Sequence, residues 1–455
     1  MGNHRGARRP IYQPIAWAAL RHADRAFFIL AWRIDMTLTT ERARLAQSDP
    51  DILAALEGEE ARQRAGLELI PSENYAFPEV LTLLGSAFTN KYSEGYPGRR
   101  YYGGQEFTDR IETLARDRAC SLFRAEHANV QPLSGSPMNQ AVYLGLLEPG
   151  DTILAMDLSH GGHLTHGAPV SHMGRIFNFV RYKTDPATGA IDFEHLREMA
   201  RLHRPKLVVC GYSSYPRDYD YADFKRVADE VGALTMADVS HIGGLIAANV
   251  MRNPLDAGFD VMTTTTHKSL RGPRGGLILC KAEFAKRIDA SVFPGLQGGP
   301  HMNQVAAAAT TFRLAATDDF RSYARNVLAN AKALASALAA RQVKLVTGGT
   351  DNHLMVIDTV ASFGIDGAEA QAALDRVELT TNKQVIPDDP KPPMRPSGLR
   401  LGTPAATARG MGAAEMEEIG AIIAETLTAG GNAAAETALA ARTAALTSRF
   451  PVPGL

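Results

Sequence analysis

From residue 120 onward, short apolar runs rich in β-branched residues alternate with stretches of helical period. The runs tend to end in polar or glycine-rich punctuation, which is the pattern of an α/β fold. Strands are predicted over residues 152–156, 176–182, 206–210, 234–239, 259–265 and 276–280, with helices between them such as residues 221–231. After Pro300 the pattern becomes a long alanine-rich helical region through Ala340, then strand-like runs at 344–347 and 354–358, then helix and loop. A second, smaller α/β domain is expected to start near residue 313. The alanine-rich tail from Asn432 reads as a terminal helix. No repeat with a period of about 20–50 residues occurs, which rules out a solenoid.

A chain of 455 residues is long enough for two or three domains at about 150 residues each. Its 45% hydrophobic and 21% charged residues describe a globular protein, not a disordered or fibrous one. Lys plus Arg number 48 and Asp plus Glu 49, so no overall positive field gathers polyanions, and nucleic-acid binding is disfavoured. The three cysteines, Cys120, Cys210 and Cys280, are far apart and form no CxxC pair, so neither a disulfide framework nor a zinc site is expected. The longest apolar run, residues 26–32, is far short of the about 20 residues a membrane helix needs. A cytoplasmic protein with no membrane partner is expected. Residues 1–35 stand apart: Arg5, Arg8, Arg9, Arg21, Arg25 and Arg33 face only Asp24 and Asp35, no serine is present, and Met36 follows. An organelle transit peptide would normally be serine-rich, so this segment reads as an upstream or dispensable extension.

The chemistry concentrates at predicted strand ends. Lys268 follows the threonine run 263–266 and His267, and is followed by Arg271 and Arg274 in a glycine-rich stretch. A desolvated lysine beside other cations has a lowered pKa and can attack a carbonyl to form a Schiff base; a solvated loop lysine is the plain alternative. Asp238 ends a predicted strand 30 residues earlier, about one βαβ crossover away. Both side chains would then line one sheet edge, where a carboxylate could pair with a pyridinium nitrogen, as pyridoxal phosphate requires; a helix N-cap would equally suit an aspartate. His241 in Asp-x-x-His points to the same place. Residues 134–139, Ser-Gly-Ser-Pro-Met-Asn, precede a helix predicted to begin near Ala141 and could present backbone N–H groups to a phosphate. His160, His163 and His166 lie in SHGGHLTHG without a neighbouring acid or cysteine, so His163 reads as a ring-stacking residue and not a metal ligand. YSEGYPGRRYYGG, residues 92–104, gathers Glu94, Arg99, Arg100, Tyr101 and Tyr102 in a loop, the kind of segment that often carries function. Arg400 sits in the otherwise apolar strand of SGLRLGTP and wants a carboxylate, from a substrate or an internal ion pair.

Taken in order, LIPSENY, TNKYSEGYPGRRYYGG, NVQPLSGSPMNQAVY, DLSHGGHLTHG, TTTTHKSLRGPRGG, FPGLQGGP, GGTDNHL and SGLRLGTPA resemble serine hydroxymethyltransferase over about residues 50–428. The resemblance implies a fold type I, aspartate aminotransferase-like pyridoxal-phosphate enzyme, with a mostly parallel seven-stranded sheet and a smaller C-terminal α/β domain. It implies hydroxymethyl transfer between serine and tetrahydrofolate by a homodimer or a dimer of dimers. The implied organisation is an extension at 1–35, an N-terminal arm at 36–89, a large cofactor domain at 90–312, a small domain at 313–430 and a helical tail at 431–455. Carried over, Lys268 is the Schiff-base lysine, Asp238 the partner of the pyridine nitrogen and His163 the stacked residue. Gly135 and Ser136 hold the phosphate with Tyr92 and Gly299 of a neighbouring subunit, while Ser213 and His241 lie by the phenolic oxygen and His267 and Arg274 complete the cofactor set. Arg400 clamps the amino-acid carboxylate; Ser72 and Tyr102 of the partner assist, and Glu94 of the partner relays a proton. Lys268, Glu94, Tyr102, His163 and His267 form the implied catalytic set, and Glu94, Leu158, Gly162, Leu164 and Gln384 the implied folate set. Pro137, Met138, Ser214, Val239, Ser240, Gln384 and Met394 depart from the family pattern. Transfer from α-methylserine (D-alanine as its product) and folate-independent aldol cleavage of a β-hydroxy amino acid stay open as alternatives.

Overall fold

The computed structural model describes residues 41–455; the reading of residues 1–35 as an extension lies outside them. By compactness the chain divides into a unit ending at Arg62 and a unit from Gln63 to Leu455. In the first, residues 41–48 are helical and Arg42 pairs with Glu60 at 2.6 Å.

The second unit is organised by a sheet of seven strands. These are β1 (His127–Asn129), β2 (Thr152–Met156), β3 (Asn178–Tyr182), β4 (Leu207–Cys210), β5 (Leu234–Asp238), β6 (Val261–Thr265) and β7 (Gly276–Cys280). Their spatial order is β1-β7-β6-β5-β4-β2-β3. β7 runs antiparallel to both neighbours, and the β6–β5–β4–β2–β3 pairings are all parallel. Near-continuous runs such as the buried LVVC of β4 and VMTTT of β6 suit strands covered on both faces. Residues 176–182 shorten to β3 because residues 173–176 wind into a helical turn.

The helix predicted from about Ala141 instead spans Gly135–Leu146 (α1). Glycine, serine and proline have poor helix propensity, but proline costs nothing within a first turn, where its missing N–H would have had no intrahelical partner. Residues 221–231 form the helix Tyr221–Val231 (α2), started by the Asp220 carboxylate. The alanine-rich region divides into α3 (Met302–Ala315) and α4 (Asp318–Ala340), because Thr317 caps the second helix by accepting from the Phe320 N–H.

A three-stranded antiparallel sheet follows: β8 (Leu354–Asp358), β9 (Asn382–Gln384) and β10 (Gly398–Gly402), with β10 in the middle. The strand expected at 344–347 is not there. Thr347 turns left-handed at φ 64° and Gly348 and Gly349 follow with positive φ, so extension stops after one bridge, Leu345 to Ile357. One core surrounds the large sheet with Phe224, Phe259 and Phe312, and a second joins Leu67 and Leu69 to Leu334, Met355, Leu399 and Ile419. α4 serves both, with Phe320 and Val327 in the first and Ala331 and Leu338 in the second. Among the described residues no helix is long and apolar enough to cross a membrane.

Candidate active site

Ligands of open parallel sheets bind outside the carboxyl ends of the strands, and the candidate residues meet there. β5 ends at Asp238, β6 is followed by Lys268, β2 leads into residues 157–169, and β4 into Gly211–Ser214. Gly211 is required at its place. At φ 111° an added Cβ would lie 1.9 Å from the Asp238 carbonyl oxygen, so only glycine lets β4 pass this close to β5.

Asp238 is buried, and protein donors point at both of its oxygens. Oδ2 accepts from Asn139 Nδ2 at 2.8 Å and His166 Nε2 at 3.2 Å, and Oδ1 from the Ser240 N–H at 3.1 Å and hydroxyl at 2.6 Å. Burial pushes the carboxyl pKa up, but the hydrogen bonds from His166 and Ser240 hold it well below the usual range. Asp238 stays ionised. Asn139, on the inward face of α1, also donates to Thr165 Oγ1 and accepts from Thr263 Oγ1, both at 2.9 Å.

Lys268 has no hydrogen bond to its ammonium among the described residues, while Asn74 Nδ2 donates to its backbone carbonyl at 3.0 Å. Burial lowers its pKa to about 8, with Arg400 and Arg274 acting the same way and Asp238 opposing them. His163 Nδ1 faces the Thr165 backbone N–H at 3.2 Å. A backbone N–H only donates, so the proton of this imidazole sits on Nε2. Burial brings the His163 pKa to about 4, which keeps the ring neutral. His267 is pushed to about 3 by burial and by Arg274 and Lys268, and its buried Nδ1 has no partner. Arg274 is exposed. His241 lies parallel to His353 at 5.4 Å between centroids and 30° between planes, Nδ1 to Nε2 at 3.2 Å, and burial lowers both pKa values.

Ser134 precedes α1 in an extended conformation without a side-chain capping bond, so the amides of Gly135 and Ser136 are free to face an anion. Pro137 offers no N–H. A Cβ at Gly135 would come within 2.9 Å of Thr265 Cγ2, so this helix start fits β6 only with glycine. Met138 is fully buried in the core against Gly276. Arg400, in β10, donates from Nη1 to the Ser213 carbonyl at 2.5 Å and from Nε to Asn382 Oδ1 at 3.2 Å. No acidic group pairs with it among the described residues, and burial lowers its pKa to about 10.

A cavity of about 530 Å³ opens beside these residues, and Leu158, Gly162, His163, Leu164, Ser213 and Gln384 all line it. Ser214, Val385 and Pro393 line it as well; Met394 is 71% exposed and is not in the lining.

Tyr92, Glu94, Tyr102 and Gly299 form a separate group. The Tyr92 hydroxyl is 3.1 Å from Glu94 Oε1, the rings of Tyr92 and Tyr102 meet edge to face at 5.1 Å, and Gly299 abuts the Tyr92 ring. Glu94 lines a second cavity with Tyr101 and residues 293–298. Among the described residues no hydrogen bond, ion pair or ring contact joins this group to Lys268, Asp238 or Arg400. Ser72 makes no side-chain hydrogen bond there either.

The histidines of SHGGHLTHG do have an acidic neighbour, contrary to the sequence reading. Asp238 lies 72 residues from His166, and the ligand atoms of His163, His166 and Asp238 fall within 4.8 Å of one another. Sequence reasoning also passed over Asn139, Thr165, Asn74 and His353. All four stand within quoted motifs, but nothing in sequence spacing signals that Asn139 reaches Asp238, 99 residues on.

The sequence profile of the family described as "Serine hydroxymethyltransferase" matches residues 45–423. A relative from Synechococcus sp. (strain JA-3-3Ab), described as serine hydroxymethyltransferase, is 51% identical over 430 residues, covering 91% of this chain and 99% of the relative.

Proposed function

The chain belongs to the serine hydroxymethyltransferase family, and from that premise we propose the part each residue plays in a pyridoxal-phosphate-dependent transfer of a hydroxymethyl group between serine and tetrahydrofolate. The residues present fit the cofactor. A half-buried amine without a hydrogen-bond partner among the described residues, an ionised buried carboxylate and a helix start with free amides are the donor set that an aldehyde, a pyridinium nitrogen and a phosphate call for. When bound, pyridoxal phosphate supplies the electron sink that accepts the electron pair freed at Cα.

The residues divide the remaining work. Lys268, already part-deprotonated near neutral pH, anchors the cofactor aldehyde and later returns to release product. Asp238, ionised, would hold the proton on the pyridine nitrogen. His163, neutral and fixed in its tautomer by Thr165, covers the ring face, and Gly135 and Ser136 hold the phosphate. His267, Arg274, Ser213 and His241 complete the cofactor surroundings. Arg400 would bind the substrate carboxylate and so orient the amino acid. Tetrahydrofolate occupies the 530 Å³ cavity against Leu158, Gly162, Leu164 and Gln384.

Tyr92, Glu94, Tyr102, Ser72 and Gly299 come from a second subunit, so that the working unit is at least a homodimer in the cytoplasm. Among the described residues of one chain no hydrogen bond, ion pair or ring contact joins the Tyr92–Glu94 group to Lys268, which is in keeping with this. Glu94 would relay a proton near the hydroxymethyl group.

The observation that carries the reading is the half-buried Lys268 amine, without a hydrogen-bond partner among the described residues, at the same sheet edge as the ionised Asp238. Borohydride reduction of the holoenzyme followed by peptide mapping should place the reduced cofactor on Lys268, and serine should yield glycine only with tetrahydrofolate present. Label on another residue would overturn the assignment.

A further inference from the structure

The two walls of the cavity, residues 157–169 and 383–393, are joined through a tie whose donors and acceptors can be assigned. His160 has a fully buried side chain. The Thr184 backbone N–H points at its Nδ1 from 3.3 Å, with the Thr184 hydroxyl 2.8 Å from the same atom. A backbone N–H only donates, so Nδ1 accepts and the ring proton sits on Nε2. That N–H faces Asp388 Oδ1 at 3.3 Å, and Lys183 Nζ donates to the same oxygen at 2.7 Å. Asp388 thus gathers a buried donor from the far wall and a surface cation, Lys183, that follows β3.

The segment bearing Asp388 is stiff. Pro387, Pro390, Pro392 and Pro393 fix their own φ angles. The neighbouring Asp389 binds the segment to itself, accepting from the N–H groups of Ile386 at 3.3 Å, Lys391 at 2.9 Å and Ser397 at 2.8 Å, and from the Ser397 hydroxyl at 2.7 Å. Asp388 itself is left-handed at φ 50°, which aspartate tolerates better than most residues. Asp389 therefore sets the shape of this strap and Asp388 its distance from the facing wall. Gln384, Val385 and Pro393 line one side of the cavity, and Leu158, Gly162 and Leu164 the other.

We propose that Asp388 is a positioning residue for tetrahydrofolate, holding the 383–393 strap through His160 and Lys183 at the width the folate occupies. This rests on the assignment of folate to this cavity. Asp388 is 52% exposed on its side chain, so its variants should fold. In Asp388→Ala the holoenzyme should bind tetrahydrofolate about tenfold more weakly, as expected for losing a charge-assisted bond. Serine affinity measured without folate should stay within about twofold, a split that general damage to the site would not give. Asp388→Asn, which keeps an oxygen for the His160 N–H but loses the Lys183 pair, should fall between Ala and wild type. Amide hydrogen exchange at residues 384–388 without ligand should quicken in Asp388→Ala. Unchanged exchange would overturn the tie. Faster exchange with unchanged folate affinity would overturn the assignment of folate to this cavity, and with it the role of Asp388. Equal weakening of serine and folate would overturn the positioning role.

Discussion

Replacing Arg400 by lysine tests the substrate clamp most directly. Nη1 and Nε of Arg400 are spent on the Ser213 carbonyl and Asn382, while Nη2 has no partner among the described residues and no acid neutralises the charge. The second Nη1 hydrogen and the Nη2 group therefore form a fork awaiting a carboxylate. Lysine keeps the charge but is shorter and offers a single ammonium, so one of two charge-assisted bonds is lost. A hydrogen bond to a charged group contributes about 1.5–3 kcal/mol. At about 1.4 kcal/mol per tenfold, serine and glycine should bind Arg400→Lys about 10- to 100-fold more weakly, read from the cofactor absorbance during titration. Ethanolamine, which is serine without its carboxylate, is the control and should bind wild type and variant alike. Unchanged serine affinity, or an equal loss for ethanolamine, would show that Arg400 serves the structure and not the substrate.

Lys268 should load cofactor faster as pH rises, with a midpoint near the pKa of about 8: a lowered pKa leaves about a quarter of the amine free at pH 7.5, against about one part in a thousand for an ordinary lysine. Reconstitution rates still climbing towards pH 10 would contradict this. Arg100→Met should be strongly destabilising in urea, by about 3–5 kcal/mol, because its fully buried partner Glu112, at 2.5 Å, keeps the Gln131 amide but loses the guanidinium that offsets its burial. Arg395→Met removes the more exposed pairs to Asp366 and Glu369 and should cost no more than about 1 kcal/mol; similar losses would show that the Arg100 network is not the anchor it resembles. Mixing Lys268→Ala chains with Glu94→Gln chains should restore part of the activity, since one site of each heterodimer has both groups intact. No recovery after proven subunit exchange would place Glu94 and Lys268 of one chain in one site.

The strands that sequence pattern located are those whose burial is almost wholly apolar or β-branched, such as β4 and β6. β1 escaped because its three residues include His127 and Asn129. Both are buried, yet they satisfy their polar groups on Asp289 at 2.9 and 2.8 Å, so burial there leaves no hydrophobic run to read. The opposite error fell at 344–347, where β-branched residues promised a strand and the backbone at Thr347 turned left-handed instead.

The site divides along the same physical line. Lys268, Asp238 and Arg400 were legible because each is a charged residue at the end or middle of an apolar strand, where a charge is costly unless used. What tunes them was not legible. Asp238 is kept ionised by His166 and Ser240 and is bonded by Asn139, and the tautomer of His163 follows from one N–H of Thr165. Asn139 and His166 reach Asp238 from 99 and 72 residues away, through a strand order that the linear pattern does not contain. The departures from the family pattern separate in the same way. Met138 faces the core and Met394 solvent, whereas Ser214 and Gln384 line the cavity and Ser240 holds Asp238. Among these five, a change of preference among β-hydroxy amino acids or folates would therefore act through the last three, Ser214, Gln384 and Ser240, and exchanging Met138 or Met394 should leave substrate preference where it is.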